Sequence, residues 1–225
     1  MSGLNVSKGN MYDFVTHTYN TVKGKCYHDC SYCYMKRFGT LKSVRFDKKE
    51  LSTDLGSGNF IFVGSSCDMF AKDIPDKWIE DTISKCNLHD NRYLFQSKNP
   101  GNMALVAKLL NHPHVVCTTI ETNRVYPNIM QNSPSPQERM QGISSLLASR
   151  FITIEPIIDF DLEEFIKLLK ECHPTQVSIG ADSGGNNLPE PSRDKVIDLV
   201  NALYSFTTIA YKKNLRRIVG DHVWI

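Results

Sequence analysis

The sequence predicts an α/β fold, a partial and open (β/α)6 barrel, and three observations lead to it. From Asn59 onward, short β-rich apolar runs alternate with stretches of helical period, which is the pattern of βα units around a parallel sheet. Six such units fill 225 residues, whereas a complete eight-unit barrel typically takes about 250 residues. We see no internal repeat, low-complexity tract or Gly/Ser-rich linker. We therefore expect a single domain over residues 1–225, with a core at about 15–205 and a C-terminal segment, 206–225, of unassigned role.

The predicted strands are the apolar runs that polar or turn residues interrupt. One strand precedes Cys26, and the others lie at 60–64, 93–96, 115–120, 151–155 and 176–180. In a sheet of this kind the loops that follow the strands form the active face. Polar residues at strand ends are therefore the first candidates for a site.

Local capping signals mark where the helices begin between these strands. Asp73 with Pro75, Asn102 and Asp161 each precede apolar residues at helical spacing. The clearest start is at Ser135-Pro-Gln-Glu138, a capping box with proline at the first helical position. A last helix is predicted over residues 192–204.

Composition and charge limit the cellular location and the partners that the chain could have. The chain has 26 basic and 24 acidic residues and a formal net charge of +2, so a polyanionic partner would require a local basic surface. No run of about 18 apolar residues could span a bilayer, and the N-terminus lacks the apolar core of a secretion signal. We expect a cytoplasmic protein. Seven cysteines, three of them within eight residues, then indicate metal ligation rather than a disulfide framework.

The three clustered cysteines, Cys26, Cys30 and Cys33, lie in one short segment. Their thiolates can reach the corners of a cube-shaped iron–sulfur cluster and leave one iron open. That iron could accept the amino and carboxylate groups of S-adenosylmethionine (SAM). The alternative is a structural zinc with His28 or a distant cysteine as fourth ligand. Two functions stay open at this point, a radical enzyme and a non-catalytic zinc-stabilised binding module.

The C-x3-C-x2-C spacing, with an aromatic residue before the last cysteine, resembles the signature of the radical SAM superfamily. Further shared stretches are FIFVGSSCDMF, YLFQSKNP, TTIETN, ITIEP and VSIGADSGG. The chain is most similar to a phage- and bacteria-associated branch of uncharacterised radical enzymes, which is distantly similar to spore photoproduct lyase. The similarity spans roughly residues 11–190, and the tail from Thr207 is not matched.

The resemblance implies a radical-SAM barrel in which the loop after the first strand holds a [4Fe–4S] cluster on Cys26, Cys30 and Cys33. It also implies that Tyr32 packs near the adenine of SAM, although core packing would equally explain an aromatic residue there. The implied reaction is reductive cleavage of SAM to a 5′-deoxyadenosyl radical, which abstracts hydrogen from a substrate. Its electron would come from a donor of the flavodoxin or ferredoxin type.

Two strand-end groups are candidate SAM contacts. Ser65, Ser66 and Asp68 occupy the position where superfamily members carry a Gly-Gly-Glu-type loop, and their oxygens suit the ammonium group of the methionine. The alternative is a turn or helix cap. Thr119 and Glu121 occupy the region where family members bind the ribose; Glu121 could instead be a salt-bridged residue at the rim.

Four more residues follow predicted strands. Lys98 and Glu155 should point toward the barrel mouth, where they could pair with each other, with the cofactor carboxylate or with substrate. Asp182, in a glycine-rich loop, is a candidate contact to adenosine or substrate. Cys67 could donate a hydrogen atom, as a cysteine is believed to do in spore photoproduct lyase, or could be a small buried residue.

Local basic groups raise the question of a partner. Lys23, Lys25, Lys36 and Arg37 flank the cysteine loop, and a second group lies at Tyr211-Lys212-Lys213 with Arg216-Arg217. Such surfaces could bind a nucleic acid or nucleotide substrate, or dock the acidic electron donor. Ordinary solvated charge is the alternative.

Overall fold

The computed structural model describes residues 4–8 and 11–221. Over those residues the strands are β1 (Asn5–Val6), β2 (His17–Tyr19), β3 (Val22–Lys23), β4 (Arg45–Phe46), β5 (Phe60–Val63), β6 (Arg92–Gln96), β7 (His114–Thr119), β8 (Ser149–Ile154), β9 (Gln176–Ile179) and β10 (Thr208–Tyr211). The helices are α1 (Asp76–Cys86), α2 (Ala104–Leu109), α3 (Pro127–Met130), α4 (Pro136–Ser144), α5 (Leu162–Glu171), α6 (Arg193–Leu203) and α7 (Arg216–Val219). Short 3-10 helices lie at Tyr34–Phe38, Lys48–Ser52, Pro100–Met103 and Lys213–Leu215.

Eight of the strands described form one sheet in the order β1-β2-β5-β6-β7-β8-β9-β10. Only the β1–β2 pair is antiparallel, so from β2 to β10 the chain adds one parallel strand after another. β3 and β4 pair separately and antiparallel, and the segment between them is the cysteine loop. All carboxyl ends of the parallel strands consequently meet at the edge from which this loop leaves.

The two faces of the sheet are covered differently. Helices cover the outer face with apolar stripes, as in α5, which buries Phe165, Leu168 and Leu169 at the i, i+3, i+4 spacing. The inner face holds a smaller cluster that includes Phe62, Leu94 and Cys117, against which an N-terminal segment packs Tyr12 and Val15. Above that apolar floor, the inner face becomes polar toward the carboxyl ends of the strands.

The predicted α/β architecture and the cysteine loop after the first parallel strand are confirmed. Each predicted strand overlaps an observed one, and the Ser135–Glu138 capping box makes both of its hydrogen bonds. The predicted last helix is α6, whose N-cap Ser192 accepts from the backbone N–H of Lys195. Among the described residues, none of the helices has the length and apolar character needed to cross a bilayer.

The prediction of six units is one strand short. β10 pairs parallel with β9 and is the seventh parallel strand in the described part of the chain. The segment 206–225, predicted without a role, therefore carries a sheet strand and α7, while residues 222–225 lie outside the described residues. β10 escaped prediction because its four residues, TIAY, form a short run followed by a basic stretch that resembles surface.

Candidate functional site

A cavity of about 680 Å³ lies at the carboxyl ends of the strands, a volume typical of ligand sites. Two of its walls differ in the parts of the chain that build them. The cysteine wall comprises Cys26, Cys30 and Cys33 with the adjoining loop residues. The β8–β10 wall comprises Tyr12, Thr153, Glu155 and Lys212. Because β2 and β10 lie near opposite ends of the sheet order, the cysteine loop and the strands of the β8–β10 wall come from distant parts of the sheet.

The cysteine loop is a series of tight turns. Backbone N–H groups of Asp29 and Cys33 donate to the carbonyls of Cys26 and Cys30, and Asp29 has the left-handed φ of 51° that aspartate tolerates. All three thiols are free and line the cavity. In the described residues, however, no three His, Cys, Asp or Glu side chains converge closely enough to hold a metal ion. The thiols share a wall without forming a closed ligand set.

Cys67, which follows β5, lies against Cys26. A hydrogen bond from the Cys67 thiol lowers the pKa of Cys26 to about 6, whereas the same contact and burial hold the pKa of Cys67 well above its ordinary value. Burial raises the pKa of Cys30 and of Cys33. Cys26 is therefore the thiol that is ionised at neutral pH, and Cys67 stays a protonated thiol on the cavity wall.

His28 and Asp68 form a buried ion pair behind the cysteine loop. His28 Nε2 and Asp68 Oδ2 are 2.9 Å apart. Burial alone would lower the pKa of His28, but the carboxylate raises it; hydrogen bonds in turn lower the pKa of Asp68 despite its burial. Asp68 also accepts from Ser97 Oγ and from the backbone N–H of Lys98, each at 2.9 Å. Its carboxylate thus ties the cysteine loop to the end of β6.

Ser65 and Ser66 line the cavity, where the sequence predicted a contact to SAM. Asn20, at the end of β2, holds them: its amide donates to Ser65 Oγ at 3.1 Å, and its carbonyl accepts from the Ser66 N–H at 2.9 Å. Tyr34 OH donates to the Ser65 carbonyl at 2.7 Å. The serine loop is therefore held on both sides, and Asn20 is a site residue that the sequence did not reveal.

Glu121 lies behind the cavity wall and not on it. Its side chain is fully buried. Oε1 accepts a hydrogen bond from Tyr32 OH, and Oε2 accepts one from Arg139 Nη1 at 2.6 Å. Lys98 Nζ is 3.4 Å from Oε1 and 5.1 Å from the centre of the Tyr32 ring. Tyr32 and Lys98 both line the cavity. The predicted ribose contact of Glu121 is thus unsupported, since the carboxylate instead orients two residues that do face the cavity.

A series of hydrogen-bonded polar side chains crosses the inner face of the sheet below these groups. Gln96 donates to Thr119 Oγ1 at 3.1 Å and accepts from Tyr12 OH at 2.9 Å. Tyr12 OH also lies 3.8 Å from Cys117 Sγ. Thr119, for which the sequence predicted a contact to the ribose of SAM, lines the cavity together with Gln96 and Tyr12. These three residues fix the boundary between the apolar floor and the polar mouth.

Glu155 pairs with the C-terminal segment, and not with Lys98, which was one of the partners that the sequence left open. Glu155 Oε1 accepts from Asn214 Nδ2 at 3.0 Å, and Oε2 lies 3.9 Å from Lys212 Nζ. Lys212 is 8% exposed and stands 4.2 Å from the centre of the Tyr12 ring. Lys98 is the partner of Glu121, as described above. Lys98 follows β6 and pairs with a carboxylate after the adjacent β7, whereas Lys212 follows β10 and reaches a carboxylate after β8, two strands away.

Asp182 stabilises its own loop. Its carboxylate accepts from the backbone N–H groups of Gly184 at 2.9 Å and Asn186 at 2.5 Å, and from Asn186 Nδ2 at 2.6 Å. Ser183, and not Asp182, lines the cavity. The predicted contact of Asp182 with adenosine or substrate therefore has no support in the geometry.

Several site residues escaped the sequence reasoning, chiefly Asn20, Gln96, Arg139, Thr153 and Lys212. Gln96 and Thr153 could have been found, because each occupies an alternating position near the end of a predicted strand. The only sequence signal at Lys212 was the run of basic residues in which it lies. No sequence signal identified Arg139, which lies one residue after a capping box. A charged residue on an amphipathic helix is normally exposed, so its burial was not expected.

The fold is similar to that of known proteins, whereas the sequence is not. No family model matches the sequence, and no curated protein matches it either. Among solved structures, a double variant of spore photoproduct lyase with bound AdoMet and dinucleoside spore photoproduct matches with a TM-score of 0.67 and 10% sequence identity, covering 94% of this chain and 81% of that chain.

Two further structures of the same enzyme match as well. Spore photoproduct lyase complexed with dinucleoside spore photoproduct gives a TM-score of 0.66 at 10% identity, with 92% and 80% of the two chains covered. A single-residue variant gives 0.65 at 11% identity, with the same coverage. The predicted distant similarity to spore photoproduct lyase is thus confirmed at the level of the fold.

Proposed function

We propose that this chain is a radical SAM enzyme in which Cys26, Cys30 and Cys33 hold a [4Fe–4S] cluster. The observation that carries the proposal is the C-x3-C-x2-C triad on the wall of a ligand-sized cavity, at the carboxyl ends of the strands of this fold. The donor set fits the group, because three free thiols are the ligands such clusters require. When bound, a cluster supplies the electron that cleaves SAM into methionine and a 5′-deoxyadenosyl radical, which abstracts hydrogen from substrate.

The other cavity residues would bind and orient SAM. Ser65 and Ser66, held by Asn20, present oxygens to its ammonium group, and Asp68 positions this strand end. Lys98 offers an ammonium to its carboxylate, and burial, which lowers the pKa of Lys98, increases the gain from an anionic partner. Tyr32 offers a ring to the adenine, and its hydroxyl is fixed by Glu121. Thr119 lines the same cavity and offers a hydroxyl to the ribose.

Cys67 is the proposed hydrogen-atom donor. Its thiol is 4% exposed, lines the cavity and stays protonated beside Cys26. A protonated thiol is the form that can give a hydrogen atom to a carbon radical. The same position beside Cys26 would also supply a fourth thiolate for zinc, and for this reason the zinc-stabilised binding module is kept as the second candidate.

The substrate is proposed to be a nucleotide or a nucleic acid, since the fold is that of an enzyme solved with a dinucleoside. The mouth of the cavity is basic and aromatic: Lys36 and Arg37 line it, and Arg37 stacks on Tyr34 and Phe38 at 5.5 and 5.0 Å. A low-potential donor of the flavodoxin or ferredoxin type would dock on this basic rim. A reducing cytoplasm would suit both the cluster and the free thiols.

The test is anaerobic reconstitution of the full chain with iron and sulfide, followed by dithionite and SAM. We expect a brown protein with the visible absorbance of a [4Fe–4S] cluster, and formation of 5′-deoxyadenosine and methionine. Serine variants of the three cluster cysteines are the control, since they should form neither. A colourless protein that binds zinc tightly and releases no 5′-deoxyadenosine would instead establish the zinc-stabilised module.

A further inference from the structure

We propose that Ser133 is a positioning residue for the cluster: its hydroxyl donates a hydrogen bond to the sulfur of Cys30 and makes the cluster easier to reduce. The inference rests on the proposed function, because it takes Cys30 as a cluster ligand. The observation that carries it is independent of the spacing of the cysteines. Ser133 Oγ lies 3.2 Å from Cys30 Sγ, although Ser133 is 103 residues further along the chain.

The chemistry of the two atoms fixes the direction of this hydrogen bond. Between a free thiol and a hydroxyl, either atom can be the donor. Iron is bound by the thiolate, and a thiolate sulfur has no hydrogen to give. With iron bound, Ser133 is therefore the donor and the Cys30 sulfur is the acceptor. Cys30 is 6% exposed and Ser133 is half-buried, and this shielding from water strengthens the contact.

The segment 129–133, at the end of α3, packs on the cysteine loop through two backbone hydrogen bonds. The N–H of Ser31 donates to the carbonyl of Ile129 at 2.9 Å. The N–H of Asn132 donates to the carbonyl of His28 at 3.1 Å. These two contacts lie on either side of the central cysteine of the loop. The distance between the hydroxyl and the sulfur is therefore set by backbone atoms of both segments.

Gln131 turns the chain so that the segment can reach the cysteine loop. It ends α3 with a φ of 52°, a left-handed value that a residue other than glycine keeps only when its surroundings hold it there. Directly after this turn, Asn132 Nδ2 donates to the Tyr27 carbonyl at 3.0 Å. Ser133 then faces the sulfur. Backbone strain of this kind is concentrated at functional sites, which agrees with a role for the segment beside the cluster.

The sulfurs of the three cysteines receive hydrogen bonds of two kinds. The backbone N–H of Asp68 donates to Cys26. The backbone N–H of Met35 donates to Cys33. Ser133 supplies the corresponding donor to the third sulfur from a side chain. A single substitution can therefore remove the donor at this sulfur and leave the backbone of the cysteine loop unchanged.

The Ser133 hydroxyl favours the reduced state of the cluster. Reduction adds one negative charge, and a hydrogen bond to a ligand sulfur stabilises that charge. Without this bond we expect the equilibrium constant for reduction to fall about tenfold. For a one-electron couple, that change lowers the midpoint potential by about 59 mV. Ser133 would thus allow a weaker electron donor to reduce the cluster.

The experiment is a potentiometric titration of the reconstituted full chain, followed by electron paramagnetic resonance in the absence of SAM. Ser133→Ala should keep its iron and have a midpoint potential about 59 mV more negative than the unaltered chain. Asn132→Ala is the matched control, because it loses a side-chain contact to the cysteine loop that does not involve a sulfur. Its potential should be unchanged. Ser133→Thr, which retains the hydroxyl, should also keep the potential of the unaltered chain.

An unchanged potential in Ser133→Ala, or an equal shift in Asn132→Ala, would overturn the inference and leave the proposed function intact. If Ser133→Ala does not retain iron, Ser133→Val and Ser133→Thr repeat the comparison, because their side chains differ in the hydroxyl. Iron in the threonine variant alone would show that the hydroxyl retains the cluster rather than setting its potential, and would also overturn the inference. An unaltered chain that takes up no iron would refute the proposed function, and the role of Ser133 in reduction with it.

Discussion

The two walls of the cavity are built in opposite ways. The cysteine wall takes its three thiols from one loop between Cys26 and Cys33, so its chemistry is visible as a spacing in the sequence. The β8–β10 wall joins Tyr12 to Lys212, nearly the two ends of the described chain, and exists only because strand register aligns them. A site on one loop can be found from spacing, whereas a site across strands requires the register.

The walls also differ in how they are supported. The cysteine wall is held by buried charge: His28 with Asp68, and Glu121 with Arg139 and Lys98. The β8–β10 wall is held by a glycine, Gly180, that leaves room, by an amide, Asn214, and by the longer ion pair of Glu155 with Lys212, 3.9 Å between Oε2 and Nζ. Buried ions are costly to leave without a partner, whereas an amide contact is replaceable. We therefore expect changes on the cysteine side to have the larger effects.

The largest expected effect separates cluster ligands from a neighbouring thiol. Replacing any of Cys26, Cys30 or Cys33 by alanine should abolish iron binding and 5′-deoxyadenosine formation, because a cluster held by two protein thiolates is not retained. Cys67→Ala should keep the iron, since Cys67 lies against Cys26 without being part of the triad. Iron and sulfide content after anaerobic reconstitution, with the visible spectrum, measures both. If Cys67→Ala lost iron as fully as the triad variants, the four thiols would form one ligand set and the zinc-stabilised module would be favoured.

The next effect concerns the buried support behind Tyr32. Glu121→Ala leaves the Arg139 guanidinium, 0% exposed, without its carboxylate, which should cost about 3–5 kcal/mol of unfolding free energy. Urea denaturation of the cluster-free chain, with and without the substitution, measures this loss of unfolding free energy. Glu121→Gln retains an acceptor for Arg139 and should cost less.

A surface pair supplies the control for that measurement. Asp81→Ala removes the partner of the exposed Lys77 and should leave the urea midpoint almost unchanged. Equal midpoint shifts for Glu121→Ala and Asp81→Ala would show that the charge behind the cysteine wall does not support the fold.

Much of the fold could be predicted from the sequence because its signals are local. The apolar run at 60–63 is bounded by turn residues, and the Ser135–Glu138 box satisfies its own backbone. β10 could not be predicted in the same way. Its residues become a strand because β9 offers a parallel edge, and this long-range pairing overrides a weak local preference.

The candidate site also divides into residues that local signals predict and residues that depend on tertiary contacts. Cys67, Ser65, Ser66 and Lys98 reach the cavity because each follows a strand that could be located in advance. Glu121 and Asp182 follow strands as well, yet both are used by the protein itself, Glu121 by Arg139 and Asp182 by its own loop. Position after a strand limits where a carboxylate can lie. Which partner neutralises it depends on tertiary contacts that no spacing encodes.

The smallest expected effect concerns the difference in pKa among the three cysteines of the cysteine wall. With the pKa of Cys26 at about 6 and those of Cys30 and Cys33 raised by burial, only Cys26 is largely thiolate at pH 7. Because the thiolate is the nucleophile, iodoacetamide should modify Cys26 first in the cluster-free chain. Its rate should rise with pH through a midpoint near 6 and then level off. Peptide mass spectrometry over a pH series gives the rate at each cysteine.

Cys67→Ala is the matched variant, because it removes the hydrogen bond that lowers the Cys26 pKa. The midpoint should move toward that of an ordinary thiol, and the rate at pH 7 should fall by about threefold, because the greater nucleophilicity of a more basic thiolate offsets most of the loss of thiolate. An unchanged midpoint would mean that Cys67 does not hold Cys26 ionised. In that case the cysteine wall would be set by loop geometry alone, and the ionised Cys26 would not depend on a contact between the cysteine loop and the end of β5.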